Sequence, residues 1–442
     1  MSRSRRKKVA APKKHTAPAL AVSREILWHE PVDRLLLSLS SWQLPILAFV
    51  VGCAVVISRR PDAILNPQFW AEDGGIFYGD AYAGGFRSLV LPDVGYLVSL
   101  QRLVALAVQP LPLLWAPAVF NIVGIAIQVL PAVLLVSRRF MSLNLSGRAL
   151  LALLYLALPN SSEVHVNLTN AQWHLALLAC LVMVAEPSRG VGWRIFDRIA
   201  LVLAGLTGPF CLVLAPIAVV VWSRRRDQRR LITAAILSFC AVMQTIVLLF
   251  NAGTRSRAEL GASPALLIKI LSRHVFLGPI EGMRHPLAGF MDQSLLLSAA
   301  VVVLGFSVVL VAFWIGPLEL RAFLVFGLAI YASALARPQA SDTAPQWEVL
   351  FHSDSNRYSL LPMLVFIAAL VRLLGARVLP LKWAAAATLL ACSVGIARDW
   401  RIQPYQDLHF PTHARAFSQA PPGTTVTIPT NPPGWKMQLV KH

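Results

Sequence analysis

Two adjacent carboxylates, Glu72 and Asp73, sit in a segment dense with aromatics and acids, Asn66-Pro67-Gln68-Phe69-Trp70-Ala71-Glu72-Asp73-Gly74-Gly75-Ile76-Phe77-Tyr78-Gly79-Asp80. Neighbouring carboxylates are general-base candidates once partial desolvation tunes them. On a helix, Trp70, Asp73, Phe77 and Asp80 share one face, so aromatic rings would flank an acid at a membrane interface. Gly74-Gly75 suits a loop or cap equally well, and a solvated loop with ordinary acids is the competing reading.

Three further segments carry candidate chemistry. Arg102 lies in the apolar run Leu97-Val98-Ser99-Leu100-Gln101-Arg102-Leu103-Val104. A guanidinium there must face protein or a polar pathway, or else snorkel to the interface. The stretch Glu163-Val164-His165-Val166-Asn167-Leu168-Thr169-Asn170-Ala171-Gln172-Trp173-His174 offers His165 and His174 as phosphate ligands or proton shuttles, or as structural histidines. The stretch from His352 to Arg357-Tyr358 leads into an apolar run, where Arg357 is either an anion ligand or an interface anchor. Arg273-His274 and Arg284-His285 add positive charge to a neighbouring segment, expected to hold amphipathic interfacial helices. P-loop, HExxH, GxSxG and dinucleotide-binding fingerprints are absent, which argues against nucleotide-driven transport and soluble-enzyme catalysis.

The elements that must position these residues are membrane spans. Of the 442 residues, 56% are hydrophobic and only 14% charged, with a mean hydropathy of +0.62. Apolar runs long enough to cross a bilayer recur between short polar stretches. The five cysteines, Cys53, Cys180, Cys211, Cys240 and Cys392, all fall inside apolar runs with no metal-ligand spacing and read as small core residues. The net charge is +19, and eight lysines and arginines precede the first acid, Glu25. That basic segment, 1–40, reads as a cytoplasmic N-terminus rather than a nucleic-acid arm.

Basic clusters at Arg138-Arg139 and Arg148, Arg189 to Arg198, Arg224 to Arg230, and Arg372 to Lys382 mark the cytoplasmic ends of spans. The outer segments are then 59–95, 160–171, 251–292, 337–357 and a tail at 399–442. The expected fold is an all-α polytopic membrane domain over 41–398, with about eleven transmembrane helices. The run at 97–112 should insert only halfway. The run at 199–222 should break at Thr207-Gly208-Pro209-Phe210, a hairpin tip. Within the tail, Thr424 to Pro429 and Asn431-Pro432-Pro433-Gly434-Trp435 predict a short extended or hairpin element.

This layout resembles the C-type (GT-C) glycosyltransferase superfamily of polytopic enzymes that use polyprenyl-phosphate-linked sugars. Glu72-Asp73 stands where that family carries an acidic pair in its first outer loop, and Arg357-Tyr358 resembles its Arg-Tyr at the outer start of a late span. The Pro-Pro that often follows the first loop is replaced by Leu91-Pro92-Asp93. The resemblance implies an inverting transfer of a hexose or pentose to an envelope glycan, lipid or protein acceptor, on the outer face of the plasma (inner) membrane. Asp73 is then the expected general base and Glu72 its helper. Trp70, Asp80, Arg102, His165, His174, Arg357 and Tyr358 are the expected substrate contacts. No metal-ligand set is assigned, a divalent cation being the one cofactor candidate. The implied partners are the lipid-linked donor and membrane lipids, with no nucleic acid. A transporter or flippase of a lipid-linked glycan is the alternative; it should show midplane charges and related halves.

Overall fold

The computed structural model describes residues 42–141, 143–187, 190–283, 286–354 and 357–442. The basic segment 1–40, and Arg189, Arg284 and His285, lie outside the described residues. The chain is mostly helical, at 71%. Its main helices are α1 (Gln43–Arg59), α2 (Ser99–Ala107), α3 (Ala116–Val136), α4 (Leu145–Leu156), α5 (Ala171–Val184), α6 (Val191–Gly205) and α7 (Cys211–Arg225). They continue with α8 (Gln228–Phe250), α9 (Leu295–Ile315), α10 (Leu318–Ala336), α11 (Leu360–Leu374), α12 (Leu379–Arg398) and α13 (Phe410–Gln419).

Among the described residues, six helices are long and apolar enough to cross a membrane: Leu113–Val136, α8, α9, α10, Arg357–Leu374 and α12. Each can span because its backbone polar groups are satisfied within the helix. Their boundaries follow local chemistry. Asp227 and Ser294 cap α8 and α9 by accepting the Arg230 and Leu297 amides, and Gly316-Pro317 ends α9. The Arg357–Leu374 span is 78% buried and lies inside the bundle, whereas α12 is 17% buried. With no soluble core to cover it, such an exposed apolar helix belongs against lipid, and the protein is membrane-embedded.

Both irregular places have the expected character. Helix α2 has nine residues, about 14 Å at 1.5 Å per residue, too short to cross. The 199–222 run is two helices, α6 and α7, broken at 206–210. The break is pinned to the start of α2: Ser99 donates to the Leu206 carbonyl (3.0 Å), Gly208 to that of Leu97 (2.9 Å), and Leu100 to the Thr207 hydroxyl (3.1 Å).

The 251–292 segment differs from expectation. Its pieces Leu271–Leu277 and Gly278–Glu281 pack into the bundle rather than along its surface, whereas Pro286–Met291 exposes Leu287 and Phe290 and keeps the expected surface character. Phe276 lies edge-on to Phe306 of α9 and Phe366 of α11, each at 5.3 Å, and His274 is buried. Shape complementarity, invisible in an amphipathic pattern, decides this.

The tail forms an antiparallel hairpin, β1 (Thr425–Thr430) and β2 (Trp435–Val440), in the register Thr425↔Val440 to Thr430↔Trp435. It docks on the acidic segment through the two glycines. A Cβ on Gly74 would meet Thr430 Cγ2 at 2.9 Å, and one on Gly75 the Lys436 carbonyl oxygen at 3.0 Å. Close approach of the hairpin, rather than a helix cap, is what this pair permits.

Candidate functional site

The acidic segment folds as a π-helical turn, Asp73–Tyr78, followed by the helix Gly79–Gly84. The wider π turn breaks the helical face expected for Trp70, Asp73, Phe77 and Asp80. Trp70 lies outside the helix and stacks on Tyr405 of the tail at 4.9 Å. Phe77 is buried. Asp73 points inward and Asp80 sideways.

Asp73 is 0% exposed. Its carboxylate accepts from the Thr169 hydroxyl (2.8 Å) and the Leu168 amide (3.2 Å). Burial, reinforced by the Glu72 charge and opposed by those hydrogen bonds, pushes its carboxyl up to about 8. A closed-off carboxyl that is largely protonated at neutral pH ties the first outer loop to the 160–170 loop; it has no surface from which to take a substrate proton. Of the acidic pair, Asp73 is the closed-off member and Glu72 the partly exposed one.

Glu72 is half-buried and faces a polar cluster. Burial raises its carboxyl and the nearby Glu163 adds to this, while Arg357 draws it back. Asp93 shares this environment: burial and then Glu72 push it up to about 6, with Arg102 opposing. A backbone exchange with Tyr96 (2.9 and 3.0 Å) holds Asp93 in place. The Tyr96 hydroxyl in turn lies 3.5 Å from Gln172 Nε2.

Arg357 closes the other side. Its amide donates to Glu163 Oε2 at 2.6 Å and its Nη1 to Glu163 Oε1. Its Nη2 donates to the Gln339 carbonyl (2.6 Å) and to the Tyr358 hydroxyl (3.2 Å). Tyr358 is buried and also receives the Gln339 amide at 2.8 Å. Most of the Arg357 fork is thus committed within the protein, where it orders Glu163 and Gln339. The segments 59–95, 160–171 and 337–357, expected on one side of the membrane, meet at this single end of the bundle.

Beyond Gln339 lies a cavity of about 260 Å³ lined by Arg255, Arg257, Arg337, Gln339 and Gln346, with no acid among its lining residues. Arg255 donates to the Arg337 carbonyl at 2.7 Å. The Arg257 and Arg337 guanidiniums carry no hydrogen bond or ion pair among the described residues. These three arginines were missed in the sequence. Arg337 directly following a span was the available signal, since a cation in a segment expected on the outer side runs against the charge bias of that expectation.

The remaining expected contacts have structural posts. Arg102 is buried and donates to the carbonyls of Leu91 (3.2 Å) and Ile76 (3.1 Å) and to Asp80 (2.7 Å), which it pairs with. It clamps the acidic segment rather than facing the cluster, and Asp80 is its partner. His165 bridges Gln128 (3.0 Å) and the Val56 carbonyl (3.1 Å), and burial with Arg59 and Arg60 holds it well below its ordinary value. His174 bridges the Tyr155 hydroxyl (2.8 Å) and the Val164 carbonyl (2.9 Å). Neither histidine has the exposure a phosphate ligand needs.

Strained backbone concentrates here. Ala71, Val94 and Val166 hold φ of 46°, 45° and 57°. Positive φ at a β-branched residue is an outlier, costing about 1–3 kcal/mol, and such residues gather at functional sites. They flank Glu72 and Asp93 and lie on the loop that carries Thr169. Among the described residues no group of three or more His, Cys, Asp or Glu side chains could hold a metal ion. No protein-family model matches the chain, and no curated protein matches it either.

Proposed function

We propose that this protein is an inverting membrane glycosyltransferase that moves a sugar from a polyprenyl-phosphate-linked donor to an acceptor hydroxyl on the outer face of the plasma membrane. The observation that carries the reading is the juxtaposition of an accessible, desolvated carboxylate, Glu72, with an all-basic cavity at the same end of the bundle, joined through Arg357 and Gln339. The six long spans, the shorter apolar helices α1, α4 and α5, and the α6–α7 pair together support eleven crossings.

In this mechanism the donor phosphate rests against Arg257 and Arg337, with its chain running out between spans into lipid. The acceptor hydroxyl attacks the anomeric carbon from the opposite side, and Glu72 takes its proton. The bond between the anomeric carbon and the phosphate oxygen breaks, and polyprenyl phosphate departs with the electron pair. The arginines stabilise the charge that grows on that oxygen. The product carries the inverted anomeric configuration, and Glu72 returns its proton to solvent. Asp93 is the second carboxylate of the site and Asp73 its positioning residue.

The test uses the purified full chain in lipid nanodiscs, offered radiolabelled undecaprenyl-phosphate-linked hexoses and pentoses together with an envelope extract as acceptor. Release of undecaprenyl phosphate with at least one donor, and saturable binding of undecaprenyl phosphate alone, are expected. Failure of every donor together with no binding of undecaprenyl phosphate overturns the reading. Donor translocation without cleavage, in sealed vesicles, would replace it with transport.

A further inference from the structure

At the opposite end of the bundle, α5, α6, α8 and the turn after α3 border a second pocket, of about 60 Å³ and open to the surface, where Arg194, Arg198 and Arg229 are exposed. Its lining includes five arginines, Arg139, Arg194, Arg198, Arg229 and Arg230, against one acid, Asp197. Arg139 takes up that acid at 2.5 Å, and Arg230 pairs with Asp227 just outside at 2.6 Å. The Arg230 Nε is buried without a partner. The Arg194 and Arg198 guanidiniums make no hydrogen bond or ion pair among the described residues. Positive charge therefore converges on a cavity whose one lining acid is already paired. A cavity of about 60 Å³ holds roughly four to six waters, room for the four oxygens of a phosphate group.

The surroundings point to lipid. Arg194, Arg198 and Leu201 form one stripe on α6, at i, i+4 and i+7. Ile195, Ile199 and Val202 form the adjacent stripe and are exposed, by 52%, 54% and 40%. On the membrane-embedded protein, that apolar stripe faces acyl chains. Trp193, one residue before the first arginine, stacks on Trp42 at 5.8 Å, an aromatic pair at the level where headgroups lie. Cations at headgroup level beside a lipid-facing apolar stripe match one amphiphile: a phosphate on a short polar head, with hydrocarbon directly below it.

We infer that this pocket is a binding site for an anionic phospholipid, whose phosphate sits between Arg194, Arg198 and Arg230 and whose acyl chains lie along Ile195, Ile199 and Val202. The site is separate from the donor chemistry at the other end of the bundle. It would anchor α6, whose far end at Leu206 is hydrogen-bonded to the start of α2.

The full-length protein is exchanged into micelles containing phosphatidylglycerol or phosphatidylcholine, and retained lipid is counted by native mass spectrometry. Phosphatidylglycerol should be retained in preference to phosphatidylcholine and should survive millimolar inorganic phosphate. Arg194→Gln with Arg198→Gln should weaken retention about 25-fold, about fivefold for each cation at a membrane surface. A charge-matched control outside the pocket, Arg224→Gln with Lys382→Gln, should retain the lipid like the parent. If the double variant does not fold, Arg194→Gln alone carries the test with its fivefold loss. Equal retention of the two lipids, an equal loss in the control, or displacement by inorganic phosphate each overturns the proposal, the last in favour of a soluble-phosphate site.

Discussion

Replacing each member of the acidic pair by its amide should separate catalysis from architecture. Glu72→Gln keeps the shape of a half-buried side chain, and its amide oxygen can still accept from Thr169 as the carboxylate does, so its thermal transition should stay close to that of the parent. It removes the proposed base, which typically costs about 10² to 10⁴ in rate, or about 2.7–5.4 kcal/mol of transition-state stabilisation. Asp73→Asn does the reverse. The buried carboxylate accepts from Thr169 at 2.8 Å and from Leu168 at 3.2 Å. An amide has one acceptor oxygen, so one of those donors faces an NH₂ group where the neutral carboxyl presents a hydroxyl oxygen that can still accept. A stranded buried donor costs about 1–3 kcal/mol, which should lower the thermal transition by several degrees. Turnover by the folded fraction should fall far less than in Glu72→Gln. The assay is release of undecaprenyl phosphate from labelled donor by purified protein, with a melting curve on the same preparation and binding of undecaprenyl phosphate as the control for an intact site. A dead Asp73→Asn with an unchanged melting transition, alongside an active Glu72→Gln, would refute the reasoning and return the base to Asp73.

Four other outcomes follow from the same geometry. Arg257→Gln and Arg337→Gln should each weaken binding of undecaprenyl phosphate about tenfold without moving the melting transition, because neither guanidinium holds a partner within the protein among the described residues; unchanged titration curves would remove the basic cavity from donor binding. The rate should fall as pH drops through about 6, where the raised Asp93 carboxyl gains its proton, and Asp93→Asn should shift that acid limb; an identical limb in the variant would mean that Asp93 does not titrate in the reaction. Asp73 titrates above its ordinary range, at about 8 in the fold, so its contribution to stability is present in acid and is lost as pH rises toward and through that value; melting curves of Asp73→Asn across pH 5 to 9 should lack this slope, and a parallel pH dependence in both proteins would contradict the assignment. Arg102→Ala leaves three oxygens without their donor and should destabilise the protein by about 2–4 kcal/mol; an unchanged melting transition with lost donor binding would make Arg102 a ligand instead.

What could be read from the sequence is what local chemistry determines. Apolar length and charge placement marked the spans, because a bilayer imposes on each segment a requirement that it must meet by itself. Gly208-Pro209 broke the 199–222 run where the sequence reading placed the break, and the alternation before Asn431 became the β1–β2 hairpin, since both depend on backbone preferences of a few consecutive residues. The acidic pair was equally visible, but which carboxylate is accessible was not. Asp73 is closed off by Thr169, 96 residues further along the chain, and the π turn that aims it inward is stabilised by a hairpin from the chain's far end. Arg102, His165 and His174 looked like ligands because a polar group in an apolar run demands a partner. Only the tertiary structure could show that carbonyls, amides and Asp80 already fill that role. The cavity formed by Arg255, Arg257 and Arg337 joins two loops 82 residues apart at its Arg255–Arg337 bond. Neither loop is distinctive alone: a pocket is a property of the space between segments, and that space exists only once the helices have packed.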